Sequence, residues 1–493
     1  MALSADVATL DPWNATDLDT LLVTRQIFET LVDFEPGALR IVPKLAESWS
    51  SSPDGTTWTF SLRKGVRFHD GTELTATAVA LNFDRARLSG HPGRGTGAFA
   101  PYAATFGGFD DASTIVKVAA KDPATVVFTT RSAFAPFLAA LAMPSFAIVS
   151  PKSIADDPAR WAMSASAAAA GTGPFSYGAD AWQPGQQLTL ERSATYWGRD
   201  RDGRSLPYLD RVVVRSIKDE SARVSELRSG AIELVRDVSP SVIPQLKADP
   251  NLVVAIRSGL NVSFLGISQD VKPFDRLEVR RAVAGAIDRQ RIASSVYGPD
   301  VHVASQLLPP GIVGYDDSVV EFARYDLAAA KRSLADAGFP NGFATELWYP
   351  QAWRASALDP RRVADAIASD LGRVGIFVTV NTKDAATLAA DVRAGRVPLW
   401  LGEAGADLVD PDAYFSDPWK NPVVTELLRR ARTELDATKR GELYKQVSKL
   451  TQQDVARIPL VLADPHLALS GRVRGLMPHA TGGEALTLVW LGR

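Results

Sequence analysis

Between residues 57 and 62 the sequence TWTFSL alternates Trp58, Phe60 and Leu62 with polar partners, the period-two pattern of a half-buried strand. Gly65 supplies a turn after it, and in LTATAVALNFDRA (74–86) Thr75 is placed as the N-cap of a helix. Further on, 220–235 reads as a helix closed near Gly230 and followed by a short strand. Over 275–292 the apolar positions Val279, Val283 and Ile287 fall on one helical face, and 325–342 reads as a helix whose stop is written in Gly338 and Pro340. In 359–380, Asp359 is a cap and Pro360 the first helical residue. Val363, Ile367, Leu371 and Val374 form the buried stripe of that helix, Gly375 turns the chain, and 376–380 is a strand. Helices alternating with short apolar strands predict an α/β fold class.

Length then bounds the number of cores. The chain has 493 residues, roughly three times an average domain, so two or three packed cores are expected. No repeat of solenoid length and no low-complexity linker divides it. Hydrophobic residues at 46% and charged residues at 22% describe a chain that folds throughout. The longest apolar run, 133–149, is broken by Pro136 and Pro144 and is short of the ~20 residues a bilayer span needs, so it is read as buried segments. A formal net charge of −2 lacks the basic surface that displaces counterions from phosphates, which argues against a nucleic-acid partner. Cysteine is absent, which removes disulfides, thiolate metal sites and cysteine nucleophiles together.

Candidate chemistry concentrates in two stretches. GADLVDPDAYF (405–415) sets Asp407, Asp410 and Asp412 within six positions. The spacing fails the calcium-loop pattern, which needs alternate oxygen ligands, a glycine at the sixth position and a glutamate at the twelfth. A pair of glycosidase carboxylates is conceivable, but Asp410 stands before Pro411, where aspartate caps or turns the chain, and Asp412 is read the same way. Asp407 lies among Gly405, Ala406 and Leu408, so its carboxylate leaves a tight, partly buried segment and requires a cation or several donors. The second stretch, ELWYPQAWRAS (346–356), places Trp348, Tyr349 and Trp353 around Arg354. That arrangement suits a carboxylate ligand through a planar fork and stacking surfaces, and equally suits a surface arginine covering a core tryptophan. The five histidines form no HExxH-type metal motif, GRGTG (93–97) lacks the lysine and the preceding strand of a phosphate loop, and no GxSxG elbow is present. Neither an enzyme nor a cofactor is expected.

Taken in order, several segments resemble family 5 of the extracytoplasmic solute-binding proteins, which serve ABC importers of dipeptides, oligopeptides, nickel and related ligands. They are LDPW near the start, IFETLVDF, IVPKLAESWSSSPDGTTWTFSLRKGVRFHDGTELTATAV, GTGPF (171–175), LERSATYWG (190–198), LPYLDRVVVR (206–215), LRSGAIELV (227–235), KPFDRLEVRRAVAGAIDRQRI (272–292) and GADLVDPDAYF. The resemblance covers nearly the whole chain. It implies a bilobed type II periplasmic-binding-protein fold with one lobe in three pieces, 1–36, 174–260 and 465–493. A smaller domain, 37–173, would be inserted into that lobe, and 261–464 would form the second lobe. The lobes would close over a solute by a hinge motion and present it to the permease.

In peptide-binding relatives the aspartate of the glycine-alanine-aspartate stretch holds the ligand's α-ammonium, and Asp407 matches it. The arginine after the W-x-P segment meets the ligand carboxylate, and Arg354 matches it, with Trp353 beside it. Ala404, Gly405 and Ala406 would line the same cleft, as would Asp17 and Leu21 after the LDP motif. Two departures stand out: Ala404 occupies the place of a pocket-wall tryptophan, and SDPWKNPVV after Phe415 is shorter than usual. Both point to a reshaped cleft, open to an opine, an oligosaccharide or a chelated metal as alternatives to a peptide. The resemblance implies a monomer outside the cytoplasmic membrane. The opening MALSADVATLDPW has neither a basic nor an apolar signal region, so any signal or lipid-modified cysteine is expected upstream. The rival readings are a carboxylate-dependent hydrolase and a binding protein that delivers its ligand to a chemoreceptor.

Overall fold

The computed structural model describes residues 1–156, 169–178, 181–297, 301–320, 322–351, 359–405, 408–415, 420–462 and 464–492. The expected Trp353, Arg354, Ala406 and Asp407 therefore lie outside the described residues. The chain divides into two compact units, Met1–Arg257 with His466–Arg493, and Ser258–Pro465.

The first unit holds two sheets. The larger runs in the order Leu252–Ile256, His466–Ser470, Leu234–Val235, Ala2–Leu3, Arg211–Ser216, Gln187–Arg192 and Phe175–Ser176, with Trp182–Gln183 also on Gln187–Arg192. Ala2–Leu3 is parallel to both of its neighbours and the other pairings are antiparallel. The smaller sheet is an antiparallel four-strand set, Ala46–Ser51, Thr57–Leu62, Thr125–Thr130 and Ile115–Asp122. Its central strand keeps the alternation read in the sequence, with Trp58, Phe60 and Leu62 buried. The helix Ala76–Arg87 packs against this sheet, and Thr75 caps it by accepting from the Ala78 N–H at 3.3 Å. Phe83 meets Phe128 and Trp13 edge-on at 4.8 and 4.9 Å, geometry that aromatic quadrupoles favour. Beside them Arg85, fully buried, donates to both oxygens of Asp11 at 3.1 and 2.8 Å. The aspartate of the LDPW segment thus ties the N-terminal segment to the helix. The apolar run 133–149 supplies buried Phe137, Leu141, Phe146, Ile148 and Val149. Among the described residues no helix is long and apolar enough to cross a membrane.

The second unit is a six-stranded mixed sheet in the order His302–Val303, Arg457–Leu462, Val262–Ile267, Leu399–Ala404, Phe343–Pro350 and Ile376–Lys383. Phe343–Pro350 is parallel to Ile376–Lys383, and the helix Pro360–Gly372 makes the crossover such a pair requires. Asp359 caps that helix through the Arg361 N–H at 3.0 Å, and Val363, Ile367 and Leu371 are fully buried in the unit's core. The strand after it begins next to two glycines held by sterics. Gly342 has φ +75°, and a Cβ there would lie 1.8 Å from the Gly375 carbonyl oxygen.

One helix differs from its sequence pattern. The stripe over 275–292 is not continuous: Leu277–Ala286 ends, and Arg289–Ile292 starts anew with Asp288 as cap, accepting from the Arg291 N–H at 2.9 Å. Ile287 stays buried across the break, so the periodic stripe survives while the hydrogen-bond ladder does not. A capping aspartate inside an apolar period is the local cause.

Burial of neutral imidazoles gives the first unit an acid limit. His479 is 3% exposed, and burial, followed by the charge of Arg25, pushes its pKa down to about 4 from an ordinary 6.5. Burial lowers His69 in the same direction. The unfolded chain therefore binds more protons than the folded one below pH 6.5, so stability is full above that value and falls as pH drops toward 4. Over that whole window His479 accounts for about 3 kcal/mol. Urea titrations between pH 7 and 5, above most carboxylate titrations, should show the first unit weakening, and His479→Asn should reduce that slope. An unchanged slope in the variant would remove His479 from the account.

Candidate functional site

The strand Leu399–Ala404 runs antiparallel to Val262–Ile267, with Ala404 opposite Val262, and Ala404 is 4% exposed. Immediately after it Gly405 takes φ +152°, where a Cβ would lie 2.2 Å from Asn261 Oδ1. Only glycine fits there, at the last described residue before Ala406 and Asp407.

Within 408–415 both aspartates are committed. Asp410 is buried and receives both terminal nitrogens of Arg440 at 2.7 Å each, while Arg440 Nε donates to the Ala431 carbonyl at 2.8 Å. Asp410 also accepts from the Asp412 N–H at 3.0 Å, which is the turn expected of an aspartate before Pro411. Asp412 receives Arg432 Nε at 2.8 and 2.9 Å, and burial holds its carboxyl above the ordinary aspartate value in spite of that partner. Tyr414 donates to the Leu260 carbonyl at 2.8 Å. The segment 408–415 is thus bolted to the helices Pro422–Thr433 and Ala437–Asp454. Two carboxylates each facing a guanidinium are not poised as an acid and base pair.

A further acid on the same strand was not singled out from the sequence. Glu403, half-buried and opposite Ser263 in the sheet, lies close enough to Tyr297 that its charge adds to burial in holding that phenol above its usual range. Its signal was the polar residue closing an otherwise apolar strand, LWLGEA.

The aromatic stretch divides. Trp348 donates from Nε1 to Glu346 at 3.0 Å and carries the Lys383 ammonium 4.0 Å from its ring centre, a cation–π contact with the neighbouring strand. Tyr349 packs on the core of the second unit. In the first unit Asp17 caps the helix Leu18–Ile27, accepting from the Thr20 N–H at 2.8 Å, and Leu21 sits half-exposed one turn on. Ala404 and Gly405 are therefore adjacent in one unit, Asp17 and Leu21 in the other.

Residues 40–424 match the family described as bacterial extracellular solute-binding proteins, family 5. The chain is 30% identical over 487 residues to heme-binding protein A of Haemophilus influenzae, covering 94% of this chain and 86% of that protein. It is 31% identical over 451 residues to the dipeptide-binding protein of Escherichia coli, covering 85% and 80%. Among solved structures it is similar to HbpA2 from Haemophilus parasuis, with a TM-score of 0.88, 26% identity and coverage of 100% and 99%. It is also similar to the ABC transporter-associated periplasmic binding protein DppA from Helicobacter pylori in complex with the peptide STSA, with a TM-score of 0.81, 28% identity and coverage of 100% and 97%. The α/β chain thus belongs to family 5 of the bacterial extracellular solute-binding proteins, binding components of ABC transport and not enzymes.

Proposed function

We propose that this protein captures a peptide or peptide-like solute outside the cytoplasmic membrane and delivers it to an ABC permease, with Asp407 holding the ligand's ammonium and Arg354 its carboxylate. The observation that carries the reading is the commitment of Asp410 and Asp412 to Arg440 and Arg432, which leaves Asp407, two residues after Gly405, as the aspartate of the stretch for the amine anchor. Glu403 in the preceding strand adds negative potential that favours a cationic group. Relatives named for binding dipeptides and di- and tripeptides support the ligand class. The first lobe is taken as 1–36, 174–260 and 465–493 with 37–173 inserted, and the second as 261–464; the two compact units, divided at 257/258 and 465/466, support two lobes, and the separate four-stranded sheet within 46–130 supports the insertion.

The buried alanine at 404, where peptide-binding relatives carry a tryptophan, favours a second reading in which the ligand is bulkier, such as an opine. A structure similar to this chain is the binding protein AgaA in complex with agropinic acid.

A thermal-shift screen of protein stripped by denaturation and refolding, against dipeptides, longer peptides, opines, oligosaccharides and nickel chelates, tests the choice. A ligand at a hundred times its Kd adds about 2.7 kcal/mol and raises the midpoint by a few degrees. Dipeptides should do so. A response to an opine, sugar or chelate alone would remove the peptide label.

A further inference from the structure

The first unit contains a cavity of about 830 Å³, bounded by the segments 25–44, 196–208 and 475–488 together with Arg63. Its volume is that of a small-molecule site. Below its wall is a saturated acid. Glu29, 4% exposed, accepts from Thr172 Oγ1 at 2.9 Å, Tyr196 Oη at 3.0 Å and Trp197 Nε1 at 2.8 Å, and pairs with Lys44 Nζ at 3.1 Å. These bonds lock the Trp197 ring in place. Lys44 and Arg63 then stand 5.6 and 4.4 Å from its centre.

The charges of the lining do not cancel. Among the described residues six lining side chains are cationic and three acidic. Lys44 is spent on Glu29 and Arg25 on Asp33 at 2.7 Å, while Arg204 lies 3.3 and 3.9 Å from Asp202 and Asp200, which leaves Arg63, Arg199 and Arg201 without an acid of the described lining. Arg63 donates from Nε to the Lys44 carbonyl at 3.2 Å and has a long 3.6 Å contact to the exposed Glu47, a pairing that solvent screens, and exposed Arg201 makes no ion pair with a described residue. His479 is also in the wall. Its Nδ1 lies 2.7 Å from Thr481 Oγ1 and 3.3 Å from the Thr481 N–H, and among the described residues its Nε2 has no hydrogen-bond partner. The remaining lining is mostly apolar or aromatic apart from Thr487, with Phe34, Trp197 and Tyr208 inside and Met477 and Leu488 exposed at 46% and 37%. Residual positive charge beside a fixed aromatic face and an apolar rim selects a ligand with a negative head and a flat apolar body.

We propose that this cavity, whose described lining lies wholly in the first unit, is a second ligand site for a small amphiphilic anion. The head meets Arg63 and Arg201, and the body lies along Trp197 and Met477.

The test uses 8-anilinonaphthalene-1-sulfonate and its uncharged analogue N-phenyl-1-naphthylamine, titrated into the full chain by fluorescence and calorimetry. The anion should bind one to one and at least tenfold more tightly than the neutral probe. Arg63→Glu should weaken it at least tenfold and Arg201→Glu, on an exposed loop where folding is not at stake, at least threefold. A saturating dipeptide should not displace it. Equal affinity for the two probes, wild-type affinity in both charge variants, or displacement by the dipeptide would each overturn the second site; the first two leave the peptide reading untouched, and displacement would itself show that the dipeptide binds.

Discussion

Asp407→Ala should reduce dipeptide affinity at least thirtyfold, with Arg354→Ala close behind, and neither should unfold the protein. Truncating one member of a buried, hydrogen-bonded charge pair costs about 2–5 kcal/mol, much of it the penalty of leaving the other charge buried and alone. At about 1.4 kcal/mol per tenfold, that is a loss of between thirtyfold and several thousandfold. The ligand offers an independent way to remove the same charge. An N-acetylated dipeptide has no ammonium, so it should bind wild type weakly and lose little more on Asp407→Ala, whereas a C-terminally amidated dipeptide should behave that way toward Arg354→Ala. Calorimetry with the four protein and ligand combinations for each anchor yields the coupling energy directly. A dipeptide that binds Asp407→Ala within a factor of three of wild type would sink the anchor.

What the sequence made legible follows from the range of the interactions. Elements carried by local signals appear where periodicity and caps place them. The Asp359–Pro360 start, the buried Val363, Ile367 and Leu371, and the turn at Gly375 all recur in the structure. The strand Thr57–Leu62 and its alternation do as well. The break at Asp288 was hidden because a cap inside an apolar period preserves the period. Pairings over long sequence distances left no trace. Asp410 finds Arg440 thirty residues on, and Asp11 finds Arg85 across seventy-four. Glu29 is the extreme case: inside the apolar-looking IFETLVDF it is a buried carboxylate whose partners are Lys44, Thr172, Tyr196 and Trp197. Nothing in its neighbours announces that role. The same holds for the candidate site. The glycine after Ala404 could be read as a tight segment, whereas the arginines that consume Asp410 and Asp412 come from two later helices.

Those arginines set the second large effect. Arg440→Met should destabilise the second unit by about 3–5 kcal/mol, because the Asp410 carboxylate, 5% exposed, would lose both of its charged donors while remaining in a low-dielectric interior. Arg440 also donates to the Ala431 carbonyl and lies 5.2 Å from the Tyr444 ring, so the same change loosens the packing of Pro422–Thr433 on Ala437–Asp454. Replacing both partners, Asp410→Leu with Arg440→Met, removes the stranded charge together with the pair, and the double variant should recover a large part of the loss. The measurement is denaturant unfolding followed by a probe in the second unit, since a chain of two compact units need not unfold in one step. Ligand binding separates a structural bolt from a ligand contact. The pair holds 408–415, which continues directly from Asp407, so Arg440→Met should weaken dipeptide binding through a looser anchor, and the double variant should restore binding along with stability. If stability returned and binding did not, the pair itself would be part of the recognition surface; a change below 1 kcal/mol in the single variant would mean that the interior around Asp410 admits water.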